Sequence, residues 1–171
     1  MRKTYLLATL IAILCILPIS LFATQPRLTV VVVVDGMTQE NLNQLRPFWS
    51  AGGLRTLSEE AFQTTIHFPH LVNGGQETTA TLMTGTTPSH HGFMYDQYFD
   101  RLYRTTFDVL YDSQTSGIGT TLQLSPRAIA TTTITDEWRF LHGQNANIYA
   151  IGLQPQATIL LAGHAANACC W

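Results

Sequence analysis

The chain has 171 residues, of which 46% are hydrophobic and 12% are charged, and its formal net charge is −2. This length is that of one ordinary domain, and the low charge without basic runs argues against nucleic acid as a partner. Beyond residue 23 the cysteines are Cys169 and Cys170, which are adjacent. Neighbouring cysteines do not make a disulfide framework.

The N-terminal residues have the pattern of a secretory signal peptide. The basic residues Arg2 and Lys3 precede an apolar run, which ends at the small residue Ala23 before a polar stretch. This order is typical of a signal peptide. We therefore expect residues 1–23 to be a signal peptide and residues 24–171 to be exported to the periplasm or the extracellular space. An uncleaved membrane anchor is the alternative, because the apolar run is almost long enough to span a bilayer.

The first predicted element of the exported part is a buried strand over residues 28–34. Its sequence, LTVVVVV, is apolar on both faces, as in the interior of a parallel sheet. It ends in the single carboxylate of Asp35, followed by Gly36, and ligands of open α/β sheets gather at such strand ends. An isolated buried carboxylate would cost on the order of several kcal/mol. Asp35 must therefore be paired, protonated, hydrogen-bonded by the following helix or bound to a cation.

Caps and glycines predict three short helices next, at residues 38–52, 54–61 and 76–84. Thr38 is a suitable N-cap for the first, and Pro47 should shorten it. Gly85 should end the third. Residues 62–68, FQTTIHF, are a candidate strand, and residues 86–92, TTPSHHG, are predicted to form a turn.

The second half of the chain predicts a hairpin, a helix and two strands. The aromatic-rich segment 93–112 favours a β-hairpin, and the segment from Ser125 to Gly143 favours a helix capped by Ser125. Residues 147–153 and 157–164 are read as two buried strands. Alternation of strands and helices predicts an α/β fold with a mostly parallel sheet.

Four segments in this order resemble one family: VVVVVDGM, LMTGTTPSHHGFMYDQYFDR, SPRAIATTTITDEWR and ATILLAGHAANACCW. They are similar to the N-terminal part of the phosphate-irrepressible alkaline phosphatases and their nucleotide pyrophosphatase/phosphodiesterase relatives, within the alkaline phosphatase superfamily. The resemblance implies a doubly wound α/β fold and hydrolysis of a small-molecule phosphate ester. It also implies two zinc ions that hold the ester while a threonine attacks phosphorus. Asp35 matches the zinc ligand at the end of the first strand.

The sequence departs from this family where the reacting groups belong. Alignment backward from Thr84 and Gly85 places Gly75 at the position of the threonine nucleophile, and glycine has no hydroxyl. A shifted nucleophile at Thr78 is the alternative. Two glutamines, Gln154 and Gln156, stand where the family's monoesterases carry a Lys-x-Arg phosphate clamp.

A further departure is Asp96, which aligns with a phosphate-contacting asparagine and would repel a phosphoryl group. We therefore expect lost phosphotransfer and assign no catalytic or substrate-binding residue. His91 matches a histidine that orders its loop, and His164 matches a position without a known metal role. We interpret His67 and His70 as polar residues of a loop. The aromatic cluster of Tyr95, Tyr98, Phe99 and Tyr103 is predicted to pack in the hairpin.

The relatives' other zinc ligands lie downstream of residue 171, so Asp35 is the one ligand identifiable here and zinc binding by this part is doubtful. We expect a fragment that is inactive alone. Exposed strands of an incomplete parallel sheet would also invite aggregation. Two alternatives stay open: a non-catalytic binding or scaffold protein that retains the fold, and a polypeptide without a stable function because it cannot fold unaided.

Overall fold

The computed structural model describes residues 26–71 and 75–171. The chain divides into two compact units, Met1–Gln63 and Thr64–Trp171. The predicted signal peptide at residues 1–23 lies outside the described residues, so it stays a prediction. Within the described ranges, no helix is long and apolar enough to cross a membrane.

The described residues of the first unit form two short helices, α1 (Gln39–Leu45) and α2 (Leu54–Glu60). Thr38 caps α1, since its Oγ1 accepts a hydrogen bond from the backbone N–H of Asn41 at 3.1 Å. After α1 the backbone tightens into a 3₁₀ turn, Arg46–Phe48, which contains the proline predicted to shorten the helix. Arg46 then donates to Oγ of Ser58 at 2.9 Å and ties this turn to α2. The cap at Thr38, the shortening at Pro47 and the second helix are confirmed, but the first helix ends at Leu45 and not at the predicted residue 52.

The predicted buried strand over residues 28–34 is wrong for the described structure. These residues have no strand assignment, and Val30 and Val32 are 70% and 77% exposed. An apolar run becomes a strand only when a second backbone supplies the ladder of hydrogen bonds, and no described residue pairs with it. The candidate strand at residues 62–68 is likewise unassigned. β-propensity alone therefore did not decide either segment.

The second unit holds the remaining helices and all the assigned strands of the described residues. Its helices are α3 (Gln76–Thr84), α4 (Pro88–His91), α5 (Ile134–His142) and α6 (Pro155–Ala162), with 3₁₀ turns at Pro126–Ala128 and Gly143–Asn145. The third predicted helix is confirmed as α3, and Gly85 ends it in the left-handed region at φ 66°. The predicted turn at residues 86–92 contains the single helical turn α4.

Helix α5 begins later than predicted. Ser125 caps the 3₁₀ turn Pro126–Ala128, where its Oγ accepts from the N–H of Arg127. The chain then leaves helical geometry until Thr133, whose side chain and that of Asp136 form a capping box. Three consecutive threonines lie in this gap, and β-branched residues disfavour helix. The predicted end at Gly143 is confirmed.

The predicted hairpin is confirmed as β1 (Gln97–Asp100) and β2 (Thr105–Asp108), which pair antiparallel. Phe107 packs its ring against three tyrosines: Tyr111 at a centroid distance of 5.1 Å, and Tyr98 and Tyr103 at 6.0 Å each. Aromatic pairs at such separations stabilise each other beyond simple burial. The predicted packing role is therefore confirmed for Tyr98 and Tyr103, whereas Tyr95 and Phe99 are 60% and 61% exposed.

The final strands are β3 (Tyr149–Ile151) and β4 (Ala168–Cys170), and they pair in parallel. β3 lies inside the predicted strand 147–153, but the predicted strand 157–164 is wrong: residues 155–162 form α6. Pro155 at the first helical turn and Gly163 after the last supply the start and stop of a helix. An eight-residue apolar run satisfies either geometry when fully buried.

Arg139, on α5, holds the turn after this helix and the segment before β4. Its guanidinium donates to the carbonyl of Ala165 at 3.1 Å, to the carbonyls of Gly143 and Ala146, and to Oδ1 of Asn167. The planar fork of arginine suits several acceptors at once. This side chain thus fixes the approach to β4.

The core of the second unit lies between α3, α6 and the loops around the hairpin. Its buried members are Ala80, Phe93, Leu110, Ile129, Ile159 and Leu160. Helices and sheet together give an α/β architecture. The doubly wound, mostly parallel sheet stays a prediction, because the described residues contain one parallel pair and one antiparallel hairpin.

Candidate functional site

The position predicted for the nucleophile, Gly75, is the N-cap of α3. Its backbone has φ −102° and ψ −158°, extended values that any residue can adopt. The glycine is therefore not required by its backbone conformation. It has no hydroxyl, so this position cannot attack phosphorus.

Two carboxylates occupy the space beside Gly75. A Cβ atom at this position would lie 2.6 Å from Oε2 of Glu77 and 3.2 and 3.3 Å from the two carboxylate oxygens of Asp96. Glu77 is buried, with 5% of its surface exposed. Carboxylates at the start of a helix interact favourably with its dipole. A phosphoryl anion in the same place would instead meet two groups of its own charge.

Hydrogen bonds hold these carboxylates in position. Oε1 of Glu77 accepts from the N–H of Gly75 at 3.3 Å and from Oγ1 of Thr78 at 3.5 Å. Oδ1 of Asp96 accepts from the N–H of Gln76 at 3.2 Å. The backbone donors at the start of α3 are thus used by the protein's own side chains.

The glutamines of the predicted clamp position lie at the start of α6. Nε2 of Gln156 donates to Oδ2 of Asp108 at 3.0 Å, on the last residue of β2. The carbonyl of Gln154 accepts from Oγ1 of Thr158 at 2.7 Å. Gln156 therefore engages a carboxylate through a neutral amide.

The structure brings three of the sequence-predicted positions together at the base of the hairpin. Asp96 bonds to the start of α3, and its carbonyl accepts from the N–H of Val109 at 3.0 Å. The neighbouring Asp108 receives the amide of Gln156. Asp96 therefore lies beside Gly75 at the start of α3, and Gln156 contacts Asp108, whose chain neighbour Val109 bonds to Asp96.

His91 orders the loop after α3, as predicted. It is fully buried, and its Nδ1 accepts from the N–H of Phe93 at 3.1 Å. The ring proton is therefore on Nε2, which donates to Oγ1 of Thr81 at 3.0 Å. Burial lowers the pKa of His91, and the nearby His70 lowers it further. His91 is a neutral structural histidine.

His164 contacts a buried carboxylate, Asp136. Nδ1 of His164 lies 2.8 Å from Oδ2 of Asp136, and Nε2 lies 3.2 Å from the carbonyl oxygen of Ile129. The other oxygen of Asp136 accepts the N–H groups of His164 and Ala165 at 2.7 and 2.9 Å. Both ring nitrogens of His164 and its backbone N–H thus have partners, and these contacts join α5 to the turn after α6. The contacts hold the backbone of this turn in place.

Asp35, the predicted zinc ligand, belongs to the first unit. Its Oδ1 accepts from the N–H of Gly36 at 2.7 Å, and it is Thr38 that caps the following helix. Across residues 26–71 and 75–171, no group of three or more histidine, cysteine or acidic side chains is placed to hold a metal ion. A zinc site needs three or four protein ligands. The described residues do not fit a complete zinc site, and the role of Asp35 stays a prediction.

His67 and His70 belong to no group of metal-ligating side chains among the described residues. His67 is exposed, and the ring of His70 packs edge-on against Phe68 at a centroid distance of 5.8 Å. Both lie in the segment before α3.

Comparison with known proteins identifies the family. The sequence model of the type I phosphodiesterase / nucleotide pyrophosphatase family matches residues 29–159. The chain belongs to this family. The predicted membership of the alkaline phosphatase superfamily is thereby confirmed.

Two curated relatives show how much of the phosphodiesterase family's length is present. The chain is 25% identical over 152 residues to "Alkaline phosphatase PafA" of Elizabethkingia meningoseptica, and covers 28% of that protein. It is 28% identical over 157 residues to "Calcium-transporting ATPase" of Myroides odoratus, again 28% of that protein. Each match covers 86% of this chain. The chain spans about a quarter of the length of the curated relatives it matches.

A solved structure shows the same fold. A crystal structure of an alkaline phosphatase PafA variant with four substitutions superimposes with a TM-score of 0.68 at 24% identity, over 78% of this chain and 27% of that one. The described part of the chain therefore has an alkaline phosphatase-like α/β fold.

Sequence reasoning missed two residues of the site, Glu77 and Asp108. Glu77 is in the first turn of α3, where an acidic residue is ordinary for a helix N-terminus. Asp108 ends a hairpin strand, and its contact with Gln156 spans 48 positions of the chain. Neither signal is readable without the fold.

Proposed function

We propose that this chain is part of an exported, metal-dependent phosphate ester hydrolase of the phosphodiesterase family in which phosphotransfer has been lost. The observation that supports the proposal most strongly is the glycine at position 75, where the family has its threonine nucleophile. It has no hydroxyl, and Glu77 and Asp96 surround it. The ligand class of the family, a small-molecule phosphate ester, is part of the same proposal.

Phosphoryl transfer depends on a positioned nucleophile and on cationic groups that stabilise the phosphoryl oxygens. At the clamp position, Gln154 and Gln156 offer neutral amides, and a charge-assisted hydrogen bond is about twice as strong as a neutral one. Asp96, at the asparagine position, accepts a hydrogen bond from Gln76 where the family donates one to phosphate. The replacements at Gln154, Gln156 and Asp96 all weaken the binding of the phosphoryl oxygens.

Zinc is the metal that the family resemblance implies, and Asp35 is the ligand proposed for it. Zinc, when bound, would polarise the phosphoryl group and lower the pKa of an attacking oxygen. The described residues supply no complete site, so no catalytic step in this chain is assigned to the metal. In the longer protein of which this chain is proposed to be part, Asp35→Ala should lower the zinc bound per chain, measured by elemental analysis after dialysis. Glu59→Ala, an exposed acidic residue of the same unit, is the control, and equal zinc in both variants would remove Asp35 from the site.

The decisive experiment assays the longer protein of which this chain is proposed to be part, purified with added zinc, against a phosphate monoester and a phosphate diester. We expect no turnover above the rate of the buffer. Turnover that Thr78→Ala abolishes and Thr79→Ala retains would show that the nucleophile had shifted to Thr78, and would contradict the proposal. Zinc bound without turnover would support the alternative of a binding protein that retains the fold.

Export is proposed from the N-terminal sequence. Fractionation of cells that express the chain should place it outside the cytoplasm, with a mass that corresponds to cleavage near Ala23. A cytoplasmic protein of full mass would contradict this part of the proposal.

A further inference from the structure

We propose that Glu77 and Asp96 exclude any side chain from position 75, so that replacing the glycine alone cannot restore a nucleophile. The inference extends the proposed function, because it concerns the position where that function is lost. Its test is a measurement of stability and does not require catalysis.

The backbone of Gly75 would accept another residue. Its φ of −102° lies in the ordinary region for L-amino acids. Glycine at such a position normally lowers stability, because it increases the conformational freedom of the unfolded chain. Replacement by alanine would therefore stabilise the fold if the surrounding space were open.

The space is filled by Glu77. A Cβ atom on residue 75 would lie 2.6 Å from its Oε2, closer than real Cβ contacts allow. A carboxylate is the flexible end of a side chain and can move when nothing holds it. Here it is buried and accepts from the N–H of Gly75 and the hydroxyl of Thr78. Displacing it breaks hydrogen bonds of a buried polar group, which is costly.

Asp96 fills the space from the hairpin side. Its two oxygens would lie 3.2 and 3.3 Å from the Cβ atom, tighter than nine in ten real contacts. Its bond to the N–H of Gln76 opposes a shift away from the helix. A threonine side chain, which is larger than a single methyl group, would meet both carboxylates.

The test is a double-mutant cycle of thermal unfolding with Gly75→Ala in the wild-type and Glu77→Ala backgrounds. In the wild-type background we expect Tm to fall by roughly 3 °C, the shift produced by losing a buried hydrogen bond. In the Glu77→Ala background the 2.6 Å contact is gone, but Asp96 still lies 3.2 Å from the Cβ position, so we expect the same change to lower Tm by about 1 °C or less. The loss of most of the destabilisation is the prediction.

Gly117→Ala is the matched control. Its Cβ would lie 2.2 Å from Cγ2 of Thr120 in a separate loop, so its effect on Tm should be the same in both backgrounds. A rise in Tm for Gly75→Ala alone, or an equal fall in both backgrounds, would overturn the inference. Because phosphate ester turnover is scored separately, this result is distinguishable from failure of the proposed function.

Discussion

Asp136→Asn tests the link between α5 and the turn after α6. Oδ1 of Asp136 accepts the N–H groups of His164 and Ala165, and Oδ2 accepts the N–H and hydroxyl of Thr133 and the Nδ1 of His164. Asparagine keeps one oxygen for one set of donors and turns an NH₂ group toward the other. About two hydrogen bonds to a charged acceptor are lost, each contributing roughly 1.5 kcal/mol. We therefore expect the free energy of unfolding to fall by about 3 kcal/mol, a large share of the stability of a typical domain.

The pH dependence gives a second readout of the same variant. Burial by itself would raise the pKa of Asp136, but the hydrogen bonds from His164 and Thr133 outweigh it and the pKa is lowered. The unfolded chain therefore binds this proton more readily than the folded one. The stabilisation is complete above the unfolded pKa of about 3.9 and is lost as the pH falls through the lower folded value. The difference between wild type and variant should be full at neutral pH and narrow in acid.

The assay is urea unfolding followed by far-UV circular dichroism at neutral pH and at a series of acidic values. Glu137→Gln, the exposed neighbour on the same helix, is the control and should change the unfolding free energy by less than about 0.5 kcal/mol. A loss below about 1 kcal/mol for Asp136→Asn would refute the reasoning from hydrogen bonds. A difference that stays constant into acid would refute the assignment of the charged form.

Three further predictions concern the same unit. Gly163→Ala should lower Tm more than Gly119→Ala. Both glycines have positive φ, but a Cβ on Gly163 would lie 2.2 Å from Oγ1 of Thr133, whereas a Cβ on Gly119 would face open space. Equal shifts in Tm for the two variants would contradict this prediction. Burial raises the pKa of the half-buried Cys169, and the adjacent Cys170 raises it further. Cys170 should therefore react first with iodoacetamide, as followed by mass spectrometry. Equal labelling rates for the two cysteines would contradict this prediction. Arg139→Lys should cost about 2 kcal/mol in urea unfolding, since an ammonium cannot reach the four acceptors of the guanidinium; a change no larger than that of the exposed Arg101→Lys would count against it.

The sequence predicted the helix caps, the helix ends and the hairpin, because contacts between residues close in the chain determine them. Hydrogen bonds or φ values within a few residues determine the cap at Thr38, the helix ends at Gly85 and Gly143, and the hairpin. The predicted strand at residues 157–164 failed because burial on all sides removes the periodicity that separates helix from strand. Pro155 and Gly163 were the signals that favoured a helix.

The candidate site was predictable in part. Gly75, Asp96 and Gln156 were found because they replace residues of a recognised pattern, and the fold places Asp96 against the start of α3 and Gln156 against Asp108. That Glu77 fills the space beside Gly75 could not be predicted, because a first-turn carboxylate can point along the helix, toward solvent or back to the cap. The direction of a side chain at the start of a helix depends on which groups of the neighbouring hairpin lie beside it. That arrangement is set by the tertiary structure and not by the local sequence.

The parallel pairing of β3 with β4 has a consequence for synthesis of the chain. Tyr149 pairs with Ala168, and the whole of α6 lies between them. Parallel strands cannot join through a tight turn, so the connection between them runs through this helix. On the ribosome, β3 therefore stays without its neighbour until residues 168–170 have left the exit tunnel, and this sheet can be completed only after release of the segment that contains them.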